Sequence, residues 1–358
     1  MNNFNPKTEG IKYAGSKLKI IPYILECISG YGFNNVLDGF TGTTRVAQAF
    51  AQTGMNVTTN DTAVWSEVFA RCYLIANKPI SFYQAILNKL NNLEGFYGWF
   101  SKKYGGTLEE NKKPFQIHNT MKLDAIRYEL EKLNLNLNDR CVFLTSLILA
   151  LDSVDSTLGH FSSYLNKWSK RSYKTMQLKM PNKFDITGKK HEVLREDIFD
   201  AIKKRTFDLA YFDPPYGSNN EKMPSSRVRY NSYYHFWKTV ILNDYPDVFG
   251  KAARREDSRD NESSSVFEEY KRNIDGKFIS LLAIDRLIKE VQSDYVLLSY
   301  SSGGRATKEE LLDSLTSNGT IEKSIEIDYK KNVMSLMKWT NKWTKKETKN
   351  QEYSFCVG

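Results

Sequence analysis

The 358-residue chain lacks several features that mark common classes of protein. Its four cysteines, Cys27, Cys72, Cys141 and Cys356, form no CxxC pair, which argues against a zinc site and against a disulfide framework. Its four histidines share no metal-ligand spacing, so no metal site is expected. No apolar run approaches the roughly 20 residues of a membrane-spanning helix, and the first residues lack a signal-peptide pattern. We therefore expect a soluble, cytoplasmic protein.

Positive charge is what the sequence has in excess, with a formal net charge of +9. Between Ser156 and Arg195, nine basic residues stand against two acidic ones, with aromatic residues interleaved. Cations neutralise phosphates, and rings between them can pack on sugars or stack on bases. The segment therefore suggests nucleic-acid binding, and the alternative is a solvated basic face whose aromatics belong to the core. The candidate DNA contacts in it are Lys167, Lys170, Arg171 and Lys174.

Strand and helix patterns alternate in the first part of the chain. NNVLDGF (34–40) and MNVTTND (55–61) are short apolar runs typical of strands. Each is followed by a helical pattern, over 44–54 and 63–77. Strand, glycine loop, helix, strand and helix in this order predict a βαβ unit.

The alternation stops in the middle of the chain and then resumes. The later part contains the apolar runs FDLAYF and YVLLSYSS, and two alternating runs near its end, IEKSIEIDYKK and EYSFCVG, predict a closing antiparallel pair. The stretch at 250–265 is so charged and small that we expect it to be mobile rather than packed. The predicted domain division is an α/β catalytic domain formed by 1–77 and 191–358, interrupted by an insert at 78–190.

The first candidate site is the loop LDGFTGTT at the end of a predicted strand. Ligands in open α/β sheets bind beyond the carboxyl ends of the strands, and Asp61, which ends the next strand, can accept hydrogen bonds from ribose hydroxyls. GFTGTT matches neither the dinucleotide spacing G-x-G-x-x-G nor a P-loop. An adenosine-bearing cofactor fits, and a simple tight turn is the alternative. The candidate cofactor contacts here are Asp38, Phe40, Thr41, Gly42 and Asp61.

The second candidate site is FDPPYG, which follows the apolar run at 207–212. An exocyclic amino nitrogen is a poor nucleophile because its lone pair is delocalised into the ring. Acceptors that hold its protons free the lone pair and stabilise the positive charge that develops. Asp213 and the Pro214 carbonyl supply such acceptors, prolines add no competing N–H, and Tyr216 can stack on a base taken out of its helix. The alternative is a rigid turn.

Together these motifs resemble the amino-directed nucleic-acid methyltransferases that use S-adenosylmethionine. The form with aspartate and tyrosine is similar to adenine-N6 DNA methyltransferases, and IKYAGSKLKIIPYI resembles the segment that the Dam-like group has before its glycine loop. The resemblance implies a class-I, Rossmann-like mixed sheet with helices on both faces, and a mainly helical target-recognition domain inserted into it.

The resemblance also implies roles for individual residues. Lys17 would lie beside the cofactor and the active site, with Tyr13 and Ala14 lining the pocket. Asp197 and Ile198 match, loosely, the family's acid-x-aromatic element that contacts the cofactor adenine. No covalent enzyme intermediate is expected, because the amino nitrogen attacks the sulfonium methyl directly. The implied catalytic residues are Asp213, Pro214, Pro215 and Tyr216, and Asp213 also counts among the cofactor contacts.

The implied substrate is double-stranded DNA with one adenine flipped out. In such enzymes the insert is the target-recognition region, and the loop after the DPPY motif folds over the flipped base or reaches into the duplex. Arg227, Arg229 and Tyr230 in that loop are therefore further candidate DNA contacts. Both a solitary regulatory role and a role beside a cognate restriction endonuclease fit.

Three alternatives remain open. The same tetrad occurs in methyltransferases that act on RNA or on protein glutamine. A cytosine-N4 enzyme usually has serine in place of Asp213. A DNA-binding module with a decayed active site would bind no cofactor.

Overall fold

The described strands form one large sheet and two short two-stranded sheets. The structure, a computed structural model, describes residues 6–107, 112–184, 186, 188–217, 230–259, 265–330 and 349–358. The strands are β1 Asn35–Asp38, β2 Asn56–Asn60, β3 Gly105–Gly106, β4 Phe115–Gln116, β5 Glu192–Leu194, β6 Phe207–Phe212, β7 Val248–Phe249, β8 Arg254–Arg255, β9 Ser293–Ser301, β10 Ile321–Lys330 and β11 Lys349–Val357. Of the two short sheets, β3–β4 is parallel and β7–β8 is antiparallel.

Seven of these strands form one mixed sheet in the order β10-β11-β9-β6-β1-β2-β5. The five strands β9, β6, β1, β2 and β5 are parallel to one another. β11 is antiparallel to both β9 and β10. The mixed sheet expected from the motifs is confirmed, and so is the antiparallel pair near the end of the sequence.

Helices cover the sheet and build most of the middle of the chain. They are α1 Ile21–Cys27, α2 Arg45–Gln52, α3 Val64–Ala70, α4 Ile80–Asn91, α5 Trp99–Tyr104, α6 Ile117–Lys132, α7 Leu137–Val154, α8 Ile198–Ala201, α9 Tyr230–Tyr233, α10 His235–Leu242, α11 Ile279–Glu290 and α12 Lys308–Asn318. A π-helical turn, Arg71–Ile75, continues α3. Among the helices in the described ranges, none is long and apolar enough to cross a membrane.

The central strand β6 is buried on both faces, as is usual for parallel strands covered by helices. Its side chains alternate between two apolar clusters. Leu209 and Tyr211 join the cluster on one face, and Ala210 and Phe212 join the cluster on the other. The end of β6, where the DPPY motif begins, is therefore fixed by packing from both sides.

The middle helices share the core of the sheet. α7 packs on α3 and on the π-helical turn, and its buried residues lie in the same apolar cluster as those of β2 and α10. This continuity means that the helices between 80 and 154 and one face of the sheet bury each other. The assignment of residues 1–77 and 191–358 to a catalytic part and of 78–190 to an insert remains a prediction about function.

The expectation that 250–265 does not pack is wrong for its first half. Arg255, only 4% exposed, donates to both carboxylate oxygens of Asp244 at 2.7 Å. The Tyr104 hydroxyl donates to the Ala253 carbonyl at 2.9 Å. The charge that seemed to exclude packing is paired with a carboxylate from a preceding loop. Residues 260–264 lie outside the described part of the chain.

A pair of substitutions on α7 tests whether this helix belongs to the core. Leu147 is fully buried and Leu137 is 52% exposed. We expect Leu147→Ala to lower the free energy of unfolding by about 2–5 kcal/mol, because it leaves a cavity. Leu137→Ala should change it by less than about 0.5 kcal/mol. Urea unfolding followed by far-UV circular dichroism checks this, and equal effects of the two substitutions would contradict the packing described.

Candidate active site

Four acidic side chains meet at one edge of the sheet. Asp38 ends β1, Asp61 follows β2, Asp197 lies just beyond β5, and Asp213 follows β6. These strands are parallel, so their carboxyl ends share an edge. A cavity of about 410 Å³ opens there, and all four residues line it.

The cavity collects residues from every motif that the sequence pointed to. All eleven residues predicted to contact a cofactor line it: Tyr13, Ala14, Lys17, Asp38, Phe40, Thr41, Gly42, Asp61, Asp197, Ile198 and Asp213. Of the remaining predicted catalytic residues, Pro215 also lines it. Pro214 and Tyr216 lie on either side of Pro215 in the same turn.

The glycine loop is held against the neighbouring strands. The backbone N–H of Gly42 donates to the Asp61 carboxylate at 2.8 Å, and that of Thr41 donates to the Asn60 carbonyl at 3.1 Å. A Cβ at Gly39 would lie 2.7 Å from the Phe212 ring, so only glycine fits there. This close approach brings the loop beside the DPPY motif.

Asp38 is an unpaired buried carboxylate on the cavity wall. It is 1% exposed, and neither of its oxygens accepts a hydrogen bond from the described residues. Burial raises its pKa well above the usual value, and the nearby carboxylates Asp213 and Asp61 add to this increase. The backbone amides of Ala47 and Phe40 lie near enough to oppose this increase in part, but neither makes a hydrogen bond of normal geometry to the carboxylate. A buried carboxylate without a partner favours a cationic ligand group.

An apolar wall closes another side of the cavity. The rings of Phe40 and Phe267 meet edge to face at 5.1 Å between centroids, and Phe267 stacks on Phe199 at 5.9 Å. Ile198 belongs to the same cluster and also lines the cavity. Such a wall suits a flat ring such as adenine. Sequence analysis missed Phe267, because no motif marks the short 3₁₀ helix Val266–Glu268 that contains it.

The DPPY motif belongs to a charged cluster of four side chains. Lys17 Nζ lies 2.9 Å from Asp213 Oδ1 and forms a second ion pair with Glu352. The Tyr216 hydroxyl donates to Asp213 Oδ1 and lies 2.9 Å from Glu352 Oε1. Glu352 is on β11, far from every motif, so the sequence analysis missed it. An isolated acid in the otherwise uncharged run EYSFCVG was the available signal.

Burial and these contacts shift the ionisation of the cluster. Burial raises the pKa of Asp213 to about 6, with Lys17 lowering it and Glu352 raising it. Burial alone would lower the pKa of Lys17, but Asp213 and Glu352 together raise it well above its usual value. Lys17 therefore stays protonated at neutral pH, and Asp213 is a carboxylate above about pH 6.

Tyr230, a candidate DNA contact, lines the cavity. Its ring stacks on Tyr13 at 5.3 Å, and Tyr13 stacks on Tyr234 at 4.4 Å. The Tyr234 hydroxyl accepts a hydrogen bond from the Ala14 backbone at 2.7 Å. The start of α9 and the segment before Lys17 are thus joined by an aromatic stack. Of the other candidates in this loop, Arg227 and Arg229 lie outside the described residues.

The four candidates in the basic segment have different surroundings. Lys167, Lys170 and Lys174 are exposed. Arg171 instead pairs with the buried carboxylate of Asp155 at 2.9 Å and donates to a nearby backbone carbonyl. The three lysines can therefore meet a phosphate as they stand, whereas Arg171 already has an internal partner.

The family model described as D12 class N6 adenine-specific DNA methyltransferase matches residues 13–296. The chain belongs to this family. The match covers the segment before Lys17, the glycine loop, the insert and the DPPY motif, and it ends before β11.

Several curated relatives are similar over most of this chain. The modification methylase StsI of Streptococcus sanguinis is 30% identical over 85% of this chain and 46% of its own length. The type II methyltransferase M.FokI of Planomicrobium okeanokoites is 26% identical over 97% of this chain and 52% of its own length. The type II methyltransferase M.NlaIII of Neisseria lactamica is 26% identical over 82% of this chain and 84% of its own length. The D12 chain thus spans about half the length of the first two relatives.

The unpaired Asp38 gives a pH-dependent prediction for the ligand-free D12 protein. A carboxyl whose folded pKa is raised makes the fold lose stability as pH rises above its unfolded pKa of about 4. We expect Asp38→Asn to be more stable than wild type by about 1–3 kcal/mol at pH 8, with the difference vanishing below about pH 4. Urea unfolding across pH measures this.

The matched control is Asp200→Asn, because Asp200 is exposed on α8, and we expect this substitution to change the free energy of unfolding at pH 8 by less than about 0.5 kcal/mol. An Asp38→Asn protein that is less stable than wild type at pH 8 would contradict the description of Asp38 as unpaired.

Proposed function

We propose that the protein transfers a methyl group from S-adenosylmethionine to the N6 amino group of a flipped adenine in a specific double-stranded DNA sequence. The observation that supports this most directly is Asp213, which follows a central strand, lines the cavity and is oriented by Lys17 and Tyr216. Membership of the D12 family supports adenine as the base.

The cavity fits S-adenosylmethionine in three respects. The unpaired carboxylate of Asp38 suits the α-ammonium group, the wall of Phe40, Ile198 and Phe267 suits the adenine, and Asp61 suits the ribose hydroxyls. When bound, this cofactor supplies an electrophilic methyl group on a sulfonium centre. Asp61 uses its oxygens to accept from the Gly42 and Ala63 amides, which fixes its orientation and leaves lone pairs for a ligand.

The target amino group would be held by Asp213 and the Pro214 carbonyl. Both described contacts of the Asp213 carboxylate, from Lys17 and Tyr216, are to Oδ1. Oδ2 is thus available, among the described residues, to accept a hydrogen bond from the adenine N6. An ionised acceptor stabilises the positive charge that develops on this nitrogen. We propose activity above about pH 6, where Asp213 is ionised.

We propose that residues 78–190 recognise the target, with the exposed lysines at 167, 170 and 174 neutralising phosphates. Residues 1–77 and 191–358 would form the catalytic part. Tyr216 would stack on the flipped adenine, and Tyr230, in the cavity wall, would border it.

We further propose a biological role beside a restriction endonuclease in the cytoplasm, with DNA as the partner. The names of the relatives support this, since they include modification methylases and type II methyltransferases. A methyltransferase acting on RNA is the second candidate, and competition between DNA and RNA substrates separates the two.

Substituting the DPPY aspartate tests the proposed chemistry. We expect Asp213→Ala and Asp213→Asn to lower methyl transfer to DNA by at least about 10²-fold, because an acceptor at the reacting nitrogen is lost. Binding of S-adenosylmethionine, measured by equilibrium dialysis, should persist. The control is Asp208→Asn, at the opposite end of β6, where the carboxylate accepts from the Asn34 and Asn35 amides. Near-wild-type transfer by Asp213→Ala would refute the proposal.

Neutralising lysines and measuring how DNA affinity depends on salt tests the basic segment. Each phosphate contact contributes about 0.9 to the slope of log affinity against log salt. We expect the double variant Lys170→Gln, Lys174→Gln to reduce that slope by about 2 in fluorescence anisotropy with duplex DNA. The control is the double variant Lys203→Gln, Lys289→Gln. These two exposed lysines precede β6 and β9, at the amino ends of the parallel strands. Equal slopes for the two double variants would argue against the segment.

A further inference from the structure

Glu352 is a buried carboxylate in contact with the DPPY motif, and it lies beyond the residues that the family model matches. It is 1% exposed and opposes Ser301 in the antiparallel register of β11 with β9. Its Oε1 pairs with Lys17 and lies 2.9 Å from the Tyr216 hydroxyl. The same two groups contact Asp213 Oδ1. Glu352 and Asp213 are thus both in contact with Lys17 and with the Tyr216 hydroxyl.

Glu352 competes with Asp213 for the same cation. One ammonium group, Lys17, pairs with both carboxylates, so its charge is divided between them. Without Glu352, this ammonium group would be left to Asp213 and would neutralise it more fully. A more fully neutralised acceptor offers less stabilisation to a nitrogen that becomes positive during the reaction.

We propose that Glu352 is a positioning residue that holds Lys17 and the Tyr216 hydroxyl, and so keeps Lys17 from neutralising Asp213, which remains a strong hydrogen-bond acceptor for the target amino group. This inference rests on the proposed function. Glu352 acts through Lys17 and Tyr216 and does not itself touch the substrate. It extends the active site to a strand that comes about 140 residues after the DPPY motif in the sequence.

The electrostatics of Asp213 agree with this role. Burial raises the pKa of Asp213, Lys17 lowers it and Glu352 raises it. Removing Glu352 takes away a repulsion and leaves Lys17 to Asp213 alone, so both changes lower the Asp213 pKa. Among the described residues, the ionisable groups that act on Asp213 or are acted on by it include Lys17, Asp38, Tyr211, Tyr216, Tyr230 and Glu352.

The first test uses the cofactor-free protein and needs no activity. With ¹³C-labelled aspartate, the Asp213 carboxyl signal is identified by its loss in Asp213→Asn and is titrated by NMR. We expect a midpoint near pH 6 in wild type, and a midpoint lower by roughly one pH unit in Glu352→Gln. The control is Glu326→Gln on the adjacent strand β10. It removes a surface carboxylate that pairs with Lys308 of α12, and it should leave the Asp213 midpoint unchanged.

The second test measures methyl transfer to DNA. We expect Glu352→Gln to lower kcat about 10- to 100-fold, with little change in KM for DNA, and to move the acid limb of the pH profile to lower pH. Glu352→Asp keeps the charge and should recover most of kcat. A merely structural role would lower the melting temperature without moving the acid limb.

The outcomes of these tests judge the role of Glu352 and the proposed function separately. An Asp213 midpoint that stays in place or rises in Glu352→Gln overturns the inference, and so does a lowered midpoint with wild-type kcat. If Glu352→Gln does not fold, Glu352→Met, which also removes the charge but fills the buried site with an apolar side chain, is judged by the same two criteria. A wild-type protein that methylates no DNA refutes the proposed function, while the NMR titration still judges the role of Glu352.

Discussion

The ammonium group of Lys17 is the interaction on which the candidate site depends. It joins the segment before α1, the turn after β6 and the antiparallel strand β11, which are separated by up to 335 residues along the chain. A buried cation is stable only when paired, and a buried carboxylate is equally costly alone. The three segments therefore stabilise one another, and the geometry of the DPPY turn follows from a contact that no local motif contains.

The rest of the site follows from the direction of the strands. Parallel strands bring their carboxyl ends to one edge, and in this chain an acid closes or follows four of them, β1, β2, β5 and β6. The consequence is a cavity with more carboxylates than the described cations satisfy, of which Asp38 is the clearest case. A cofactor with a cationic group and a flat ring suits such a cavity better than an anionic one.

Local patterns predicted the local structure well. The strands that lead to Asp38, Asp61 and Asp213 follow from apolar runs bounded by turn residues, and the structure confirms them. Local sequence patterns failed to predict residues whose position depends on a contact with a residue far away in the sequence. Arg255 packs because Asp244 meets it, and Glu352 and Phe267 reach the cavity through tertiary contacts. Composition predicted a basic face, but it could not distinguish Arg171, which is paired internally, from its exposed neighbours.

The central claim is that this chain methylates adenine in DNA. The most direct measurement is to express it in a host that lacks adenine methylation and to sequence the genomic DNA by a method that detects modified bases. The account predicts N6-methyladenine at one recurring sequence motif. A folded protein that binds S-adenosylmethionine but leaves the genome without modified adenine would contradict it.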